Sequence, residues 1–129
     1  INLLNEKNNG EIVLKLISED LINSVHDISN GGLLVALSEM SLGSNLGVKI
    51  EKTSKLRNLS EYFFGEDQGR YILEVDENNL KKIEKILQAN NIYYENIGKT
   101  QNNFFEIEGE MKIDINDLFK INNQWYNNY

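Results

Sequence analysis

The spacing of the hydrophobic residues changes several times along the chain, and this change limits the folds that the chain can adopt. Helical spacing predicts helices over about 9–20, 30–43, 77–87 and from about 116 onward. Alternating spacing predicts strands over 24–28, 48–51, 71–75, 92–97, 104–108 and 111–115, with short helical turns over 54–64. A tight turn at Gly109 would join the last two strands as a hairpin.

These helices and strands interleave without a strict βαβ repeat. The pattern therefore predicts an α+β fold, a two-layer sandwich in which helices pack on one face of a mixed or antiparallel sheet. We expect the strand at 71–75 to be central. A chain of 129 residues can bury roughly two thirds of its unfolded surface, so residues 1–129 are predicted to form a single domain. The chain begins with Ile1, and we expect it to be a module cut from a longer polypeptide.

The composition argues against several functional classes. Twenty acidic residues against 13 basic ones give a net charge of −7, and a nucleic-acid-binding protein needs clustered Lys and Arg instead. The chain contains no Cys, which excludes disulfides, thiolate nucleophiles and Cys-based metal sites. No apolar run approaches the roughly 18 residues that span a bilayer. We expect a soluble, cytoplasmic protein without nucleic-acid or membrane partners.

The first polar segment, residues 27–32, joins a predicted strand to a predicted helix, and we call it the first corner. Its two adjacent glycines, Gly31 and Gly32, would each cost about 0.5–1 kcal/mol relative to Ala in a helix. They would also let backbone N–H groups approach a phosphate at the helix N-terminus. Asp27 and Ser29 would lie at the rim, where a carboxylate can bind Mg or a ribose hydroxyl.

A simpler interpretation of the first corner is that Ser29 or Asn30 caps the helix and that the glycines only make a tight turn. The single histidine, His26, is a candidate general base. However, no second His and no Ser or Cys nucleophile with an evident base accompanies it. We interpret His26 as a packed residue bonded to the backbone, and we predict no catalytic residue in this chain.

The second polar segment, residues 65–70, leads into the strand at 71–75, and we call it the second corner. It contains two carboxylates and a carboxamide between two flexible glycines, and an Arg directly after the second glycine. Glu66 or Asp67 could ligate Mg through oxygen, and Arg70 could pair with a phosphate or with Asp27. The alternative is a polar turn closed by a pair between Arg70 and a carboxylate.

Together, the two segments resemble a known family. Residues 26–33 (His-Asp-Ile-Ser-Asn-Gly-Gly-Leu), followed by residues 64–70 (Phe-Gly-Glu-Asp-Gln-Gly-Arg), are similar to the C-terminal domain of the phosphoribosylformylglycinamidine synthase (PurL) family. The helix at 33–40 is also similar, and the likeness covers nearly the whole chain. The resemblance implies a PurM-like C-terminal domain, the last of the aminoimidazole-ribonucleotide-synthetase-like modules of a longer synthase.

The resemblance also implies an activity and a set of binding residues. Enzymes of this family use ATP to phosphorylate the formyl amide oxygen of formylglycinamide ribonucleotide, and ammonia from glutamine then displaces the phosphate. The matched positions imply that Asp27 and Gly65 contact ATP, that Glu66 binds Mg and that Gln68 contacts the substrate. Four further residues would contact phosphate or lie at the rim of the site, namely Ser29, Gly31, Gly32 and Arg70.

The implied partners are the preceding modules of the same polypeptide, a glutaminase subunit, a small bridging subunit and the small-molecule substrates. Because the chain is acidic, it would meet a triphosphate favourably only through Mg and helix-end dipoles, so we expect the isolated chain to be inactive. One alternative is another ATP-using enzyme of the superfamily, such as aminoimidazole ribonucleotide synthetase or selenophosphate synthetase. A different alternative is a noncatalytic module that docks a partner through its aromatic residues, Phe63, Phe64, Trp125 and Tyr126.

Overall fold

The computed structural model describes residues 2–51 and 58–124. Its helices are α1 (Leu3–Ser18), α2 (Gly32–Ser44), α3 (Leu59–Phe64), α4 (Glu77–Ala89) and α5 (Ile115–Gln124). Its strands are β1 (Ser24–Asp27), β2 (Gly47–Ile50), β3 (Tyr71–Glu74), β4 (Gly98–Gln101), β5 (Phe104–Ile107) and β6 (Met111–Asp114). The predicted α+β class is confirmed. Trp125, Tyr126 and part of the predicted turns at 54–64 lie outside the described residues.

The strands form two sheets. β1 pairs with β3 in an antiparallel arrangement, and the larger sheet has the order β4-β2-β5-β6. β2 runs parallel to β5, whereas the pairs β2–β4 and β5–β6 are antiparallel, so the prediction of a mixed sheet is confirmed. The central position predicted for the strand at 71–75 is wrong, because among the described residues β3 pairs only with β1.

Two hydrophobic clusters stabilise the fold. The larger one packs α2, α3 and α5 against the larger sheet, around Ile50 and Phe105, each 1% exposed. The smaller one joins α1 to α4 through Leu16 and Ile83, with Leu73 of β3 packed against it. The two-stranded sheet contributes Ile72 to the larger cluster and Leu73 to the smaller one, and therefore links them. Both corners lie at the same end of this sheet, where Asp27 pairs with Tyr71.

Three local predictions failed for identifiable reasons. Residues 92–97 do not form a strand. Ile92 and Tyr94 pack against the smaller cluster from an irregular segment, so side chains are buried alternately, as in a strand, although the backbone does not pair with another strand. β4 was missed because Gly98–Gln101 contains no hydrophobic residue. The Asn-rich composition of residues 5–9 predicts a frayed terminus, but these residues are helical. Asn2 accepts a hydrogen bond from the Asn5 N–H at 3.2 Å and caps α1.

The helix that follows Asp76 is confirmed, but Asp76 does not cap it through its side chain. Its carboxylate accepts a hydrogen bond from Asn23 instead.

None of the helices within residues 2–51 and 58–124 combines the length and the apolar character that crossing a membrane requires.

Leu14 and Leu16 of α1 provide a matched test of the smaller cluster. Leu16 is fully buried, whereas Leu14 is 67% exposed. We expect Leu16→Ala to lower the free energy of unfolding by about 2–5 kcal/mol. Leu14→Ala should change it by no more than about 0.5 kcal/mol. Urea denaturation of both variants measures the difference, and equal losses would contradict the assignment of the cluster.

Candidate functional site

The two corners meet in space. The Ile28 N–H donates a hydrogen bond to the backbone oxygen of Arg70 at 2.9 Å, which extends the β1–β3 pairing into both corners. The Gly31 N–H then donates to Oε1 of Glu66 at 2.8 Å, across 35 positions of sequence. A carboxylate of the second corner therefore lies at the N-terminus of α2, where the helix dipole favours negative charge.

The glycines of the first corner are required by the backbone. Gly31 and Gly32 both have left-handed conformations, with φ of 79° and 71°. A Cβ on Gly32 would lie 2.7 Å from the backbone oxygen of Phe63, so α2 begins directly against the end of α3. The residue at the N-cap position is Gly31 itself. The prediction that Ser29 or Asn30 caps α2 is therefore wrong, whereas the tight turn is confirmed.

The second corner is closed by its own Arg. The Gly65 N–H bonds to the Glu61 oxygen at 2.9 Å and ends α3. Nη2 of Arg70 donates to the Gly65 oxygen at 2.5 Å and lies 3.6 Å from Oδ2 of Asp67. The predicted pair between Arg70 and a carboxylate is present with Asp67, and Arg70 does not pair with Asp27. Its Nε is buried without a hydrogen-bond partner in the part of the chain that the structure describes.

The predicted ligand residues do not all line one surface. Glu66, Asp67 and Gln68 are exposed and line a cleft of about 450 Å³ together with Asn2 and Glu6 of α1. Asp27, at the end of β1, does not line this cleft, and its side chain is 65% exposed. The cleft therefore presents carboxylates and amides to solvent, which suits a cation or a cation-bound ligand better than a bare anion.

The contribution of α1 was missed by sequence reasoning. Asn9 donates through Nδ2 to the Gly69 oxygen at 2.9 Å, and Glu6 packs against Gly69. Both side chains lie within the stretch that was predicted to fray. The buried stripe of Ile12 and Leu16 could have revealed Asn9, because a step of three residues back from Ile12 continues the same helix face.

His26 connects β1 to α2. Its Nδ1 lies 2.6 Å from the backbone oxygen of Asp27, and its Nε2 lies 3.2 Å from Oε2 of Glu39. The side chain is 28% exposed. These contacts agree with the interpretation of His26 as a packed residue bonded to the backbone.

Tyr62 of α3 lies just before the second corner. Burial, together with the carboxylate of Glu95, raises the pKa of Tyr62 to about 12. Its hydroxyl lies 3.5 Å from Oε2 of Glu95. The other oxygen of this carboxylate, Oε1, accepts a hydrogen bond from the hydroxyl of Tyr93. The phenol is therefore neutral at physiological pH, and its contact with Glu95 connects α3 to the segment before β4.

The described residues do not assemble a complete metal site. Within ranges 2–51 and 58–124, no group of three or more His, Cys, Asp or Glu side chains is arranged to hold a metal ion. Glu66 still fits the role of a partial ligand, since Gly31 engages Oε1 and the second carboxylate oxygen remains for a cation. The side chains of residues 2–51 and 58–124 would therefore need further ligands from elsewhere to complete the coordination of a Mg ion.

The chain belongs to the family described as AIR synthase related protein, C-terminal domain, whose model matches residues 2–107. Over all 129 residues it is 44% identical to phosphoribosylformylglycinamidine synthase subunit PurL of Pelagibacter ubique. It is 35% identical over the same length to the subunit of that name from Rhodopseudomonas palustris. In both comparisons the chain spans 18% of the length of the relative.

Three solved structures of Thermotoga maritima proteins share the fold: PurL with FGAR, PurL with ATP, and PurLQS. Each has a TM-score of 0.75, and each match covers 88% of this chain and 21% of the other chain. Sequence identity is 18% with the ATP complex and 19% with the other two. At this identity the structures establish the fold and not the ligands of this chain.

Two glycines of α2 provide a matched test of the contact between the corners. Gly32→Ala places a Cβ against the backbone of Phe63 and Phe64 and imposes a positive φ on Ala. We expect it to lower the free energy of unfolding by at least about 1–3 kcal/mol. Gly43 has open space at its Cβ, so Gly43→Ala should raise stability by about 0.5–1 kcal/mol. Chemical denaturation measures both, and a neutral Gly32→Ala would contradict the described corner.

Proposed function

We propose that residues 1–129 form the C-terminal module of a phosphoribosylformylglycinamidine synthase and contribute one wall of its Mg-ATP and substrate site. The observation that carries the proposal is the hydrogen bond from the Gly31 N–H to Glu66. It joins the two segments whose resemblance suggested the family, although they are separated by more than thirty residues. The names of the relatives that match the whole chain support the same function.

In this proposal Asp27 and Gly65 contact ATP, Glu66 ligates Mg and Gln68 contacts the substrate. Glu66 and Gln68 line one cleft, which supports adjacent sites for Mg and substrate. Ser29, Gly31 and Gly32 form the rim at the N-terminus of α2. Arg70 already contacts the Gly65 oxygen and Asp67. Its main role in this proposal is therefore to close the second corner, and a contact with phosphate would be additional.

The proposed reaction is the ATP-dependent conversion of formylglycinamide ribonucleotide to the amidine. The formyl amide oxygen attacks the γ-phosphorus of ATP and ADP leaves. Ammonia from glutamine then adds to the activated carbon, and phosphate departs. Mg would neutralise the charge of the phosphates. Glu66 would orient the metal. The N–H groups of Gly31 and Gly32 already donate to Glu66 and to the Ser29 oxygen, so these two glycines would lie at the rim of the phosphate site without donating those N–H groups to it.

The other groups required for catalysis would come from partners. We propose that the preceding modules of the same polypeptide supply the remaining ligands, and that a glutaminase subunit and a small bridging subunit deliver ammonia. The PurLQS structure from Thermotoga maritima supports an assembly of this kind. The reaction would take place in the cytoplasm.

The alternatives receive less support. Aminoimidazole ribonucleotide synthetase and selenophosphate synthetase share the superfamily, but the Pelagibacter ubique and Rhodopseudomonas palustris relatives, which match the whole chain, carry the name of the glycinamidine synthase. For a docking module, the aromatic surface is reduced, because Phe63 is only 5% exposed. Phe64 remains exposed, whereas Trp125 and Tyr126 lie outside the described residues.

The isolated chain should bind Mg-ATP weakly. The second corner and α1 present acidic side chains, and the described residues supply no complete metal site. We expect isothermal titration of the chain with Mg-ATP to show no binding tighter than about 1 mM, near −4 kcal/mol. Micromolar affinity would contradict the proposal that this chain forms only one wall.

Glu66→Gln tests the metal role within the longer synthase. Gln can still accept the hydrogen bond from Gly31, so the fold is preserved while the charge on the metal ligand is lost. We expect the Mg concentration required for half-maximal ATP turnover to rise about 10–100-fold. Glu77→Gln is the control, because Glu77 is 91% exposed at the start of α4. Equal behaviour of the two variants would favour a docking module.

A further inference from the structure

The second corner is fixed from outside by α1. Nδ2 of Asn9 donates to the backbone oxygen of Gly69 at 2.9 Å, in a partly buried contact between residues 60 positions apart. Gly69 has a φ of +74°, and a Cβ there would lie 3.2 Å from Cα of Glu6. α1 and the second corner are therefore in close contact at Gly69, the residue directly before Arg70.

The corner is thus restrained at both of its ends. At one end Arg70 binds the Gly65 oxygen at 2.5 Å. At the other end Asn9 binds the Gly69 oxygen. The residues between these two oxygens are 66–68, which carry the proposed ligand side chains. Fixing the carbonyls of Gly65 and Gly69 restrains the backbone between them. This restraint places the Glu66 side chain where its Oε1 accepts the hydrogen bond from the Gly31 N–H at 2.8 Å.

We propose that Asn9 is a positioning residue for Glu66. Asn9 does not line the cleft of Glu66, and it acts by fixing the Gly69 carbonyl so that Glu66 meets the N-terminus of α2. The effect on the corner follows from the contacts alone, whereas the effect on Mg-ATP rests on the proposed function. Asn suits this position because its amide donates a hydrogen bond to a carbonyl oxygen at a fixed distance.

Asn9→Asp tests the role with almost no change in shape. An ionised Asp cannot donate and would place negative charge against the Gly69 oxygen, so the corner should shift away from α1. Asn8→Asp is the matched control, because it adds the same charge at the adjacent position of α1. Gly69→Ala is a second variant that disturbs the packing of the second corner against α1, since its Cβ would press on Glu6.

The first measurement uses this chain and needs no nucleotide. Amide hydrogen exchange followed by NMR reports the hydrogen bond of the Gly31 N–H. We expect Asn9→Asp and Gly69→Ala to speed exchange at Gly31 about three- to tenfold, as expected for loss of one hydrogen bond, while Asn8→Asp leaves it unchanged. Thermal unfolding of each variant confirms that it is folded. Unchanged exchange at Gly31 in folded Asn9→Asp and Gly69→Ala would overturn the proposal.

The second measurement uses the longer synthase that contains this sequence. If Asn9 positions Glu66 as a Mg ligand, Asn9→Asp should raise KM for Mg-ATP about tenfold, with a much smaller change in kcat, and Asn8→Asp should not. A general loss of stability would not raise KM for Mg-ATP while leaving kcat nearly unchanged. If exchange at Gly31 increases but KM is unchanged, the positioning of the corner is supported and the proposed nucleotide role of Glu66 is wrong.

Discussion

The hydrogen bond between the Gly31 N–H and Glu66 is the contact on which the rest of the candidate site depends. An ionised acceptor makes such a bond stronger than a neutral one, and its place at the start of a helix adds the attraction of the dipole. It forms only because Gly31 and Gly32 accept left-handed conformations and because α2 begins against α3. Local backbone geometry at one corner thus determines where a side chain of the other corner lies.

The parts that were predictable from sequence are those fixed by local patterns. α2 follows from the spacing of Leu33, Leu37 and Met40, and the hairpin follows from Gly109. The pairing of β1 with β3 and the separation into two sheets depend on contacts between distant segments, which hydrophobic spacing does not encode. For this reason the strand at 71–75 was wrongly placed at the centre of one sheet.

The same distinction applies to the site. The residue types of both corners predicted polar segments that turn sharply, and the structure shows that the two segments meet. The sequence did not reveal which hydrogen-bond and ion-pair partners these side chains have. Arg70 serves the corner itself through Gly65 and Asp67, and Asn9 was hidden in a segment whose Asn content suggested fraying. Both roles depend on the approach of elements far apart in sequence.

The charge of the cleft bears on the proposal that these corners act within a larger assembly. Glu6, Glu66 and Asp67 line one exposed cleft, so a triphosphate approaching it alone would meet negative charge. A cation shared between the phosphates and Glu66 would reverse the sign of that interaction. Exposed carboxylates bind Mg weakly because the ion retains most of its water, and further ligands are needed to complete an octahedron. The incomplete ligand set among the described residues is therefore compatible with the proposed role as one wall of a nucleotide site, in which another module would supply the remaining ligands.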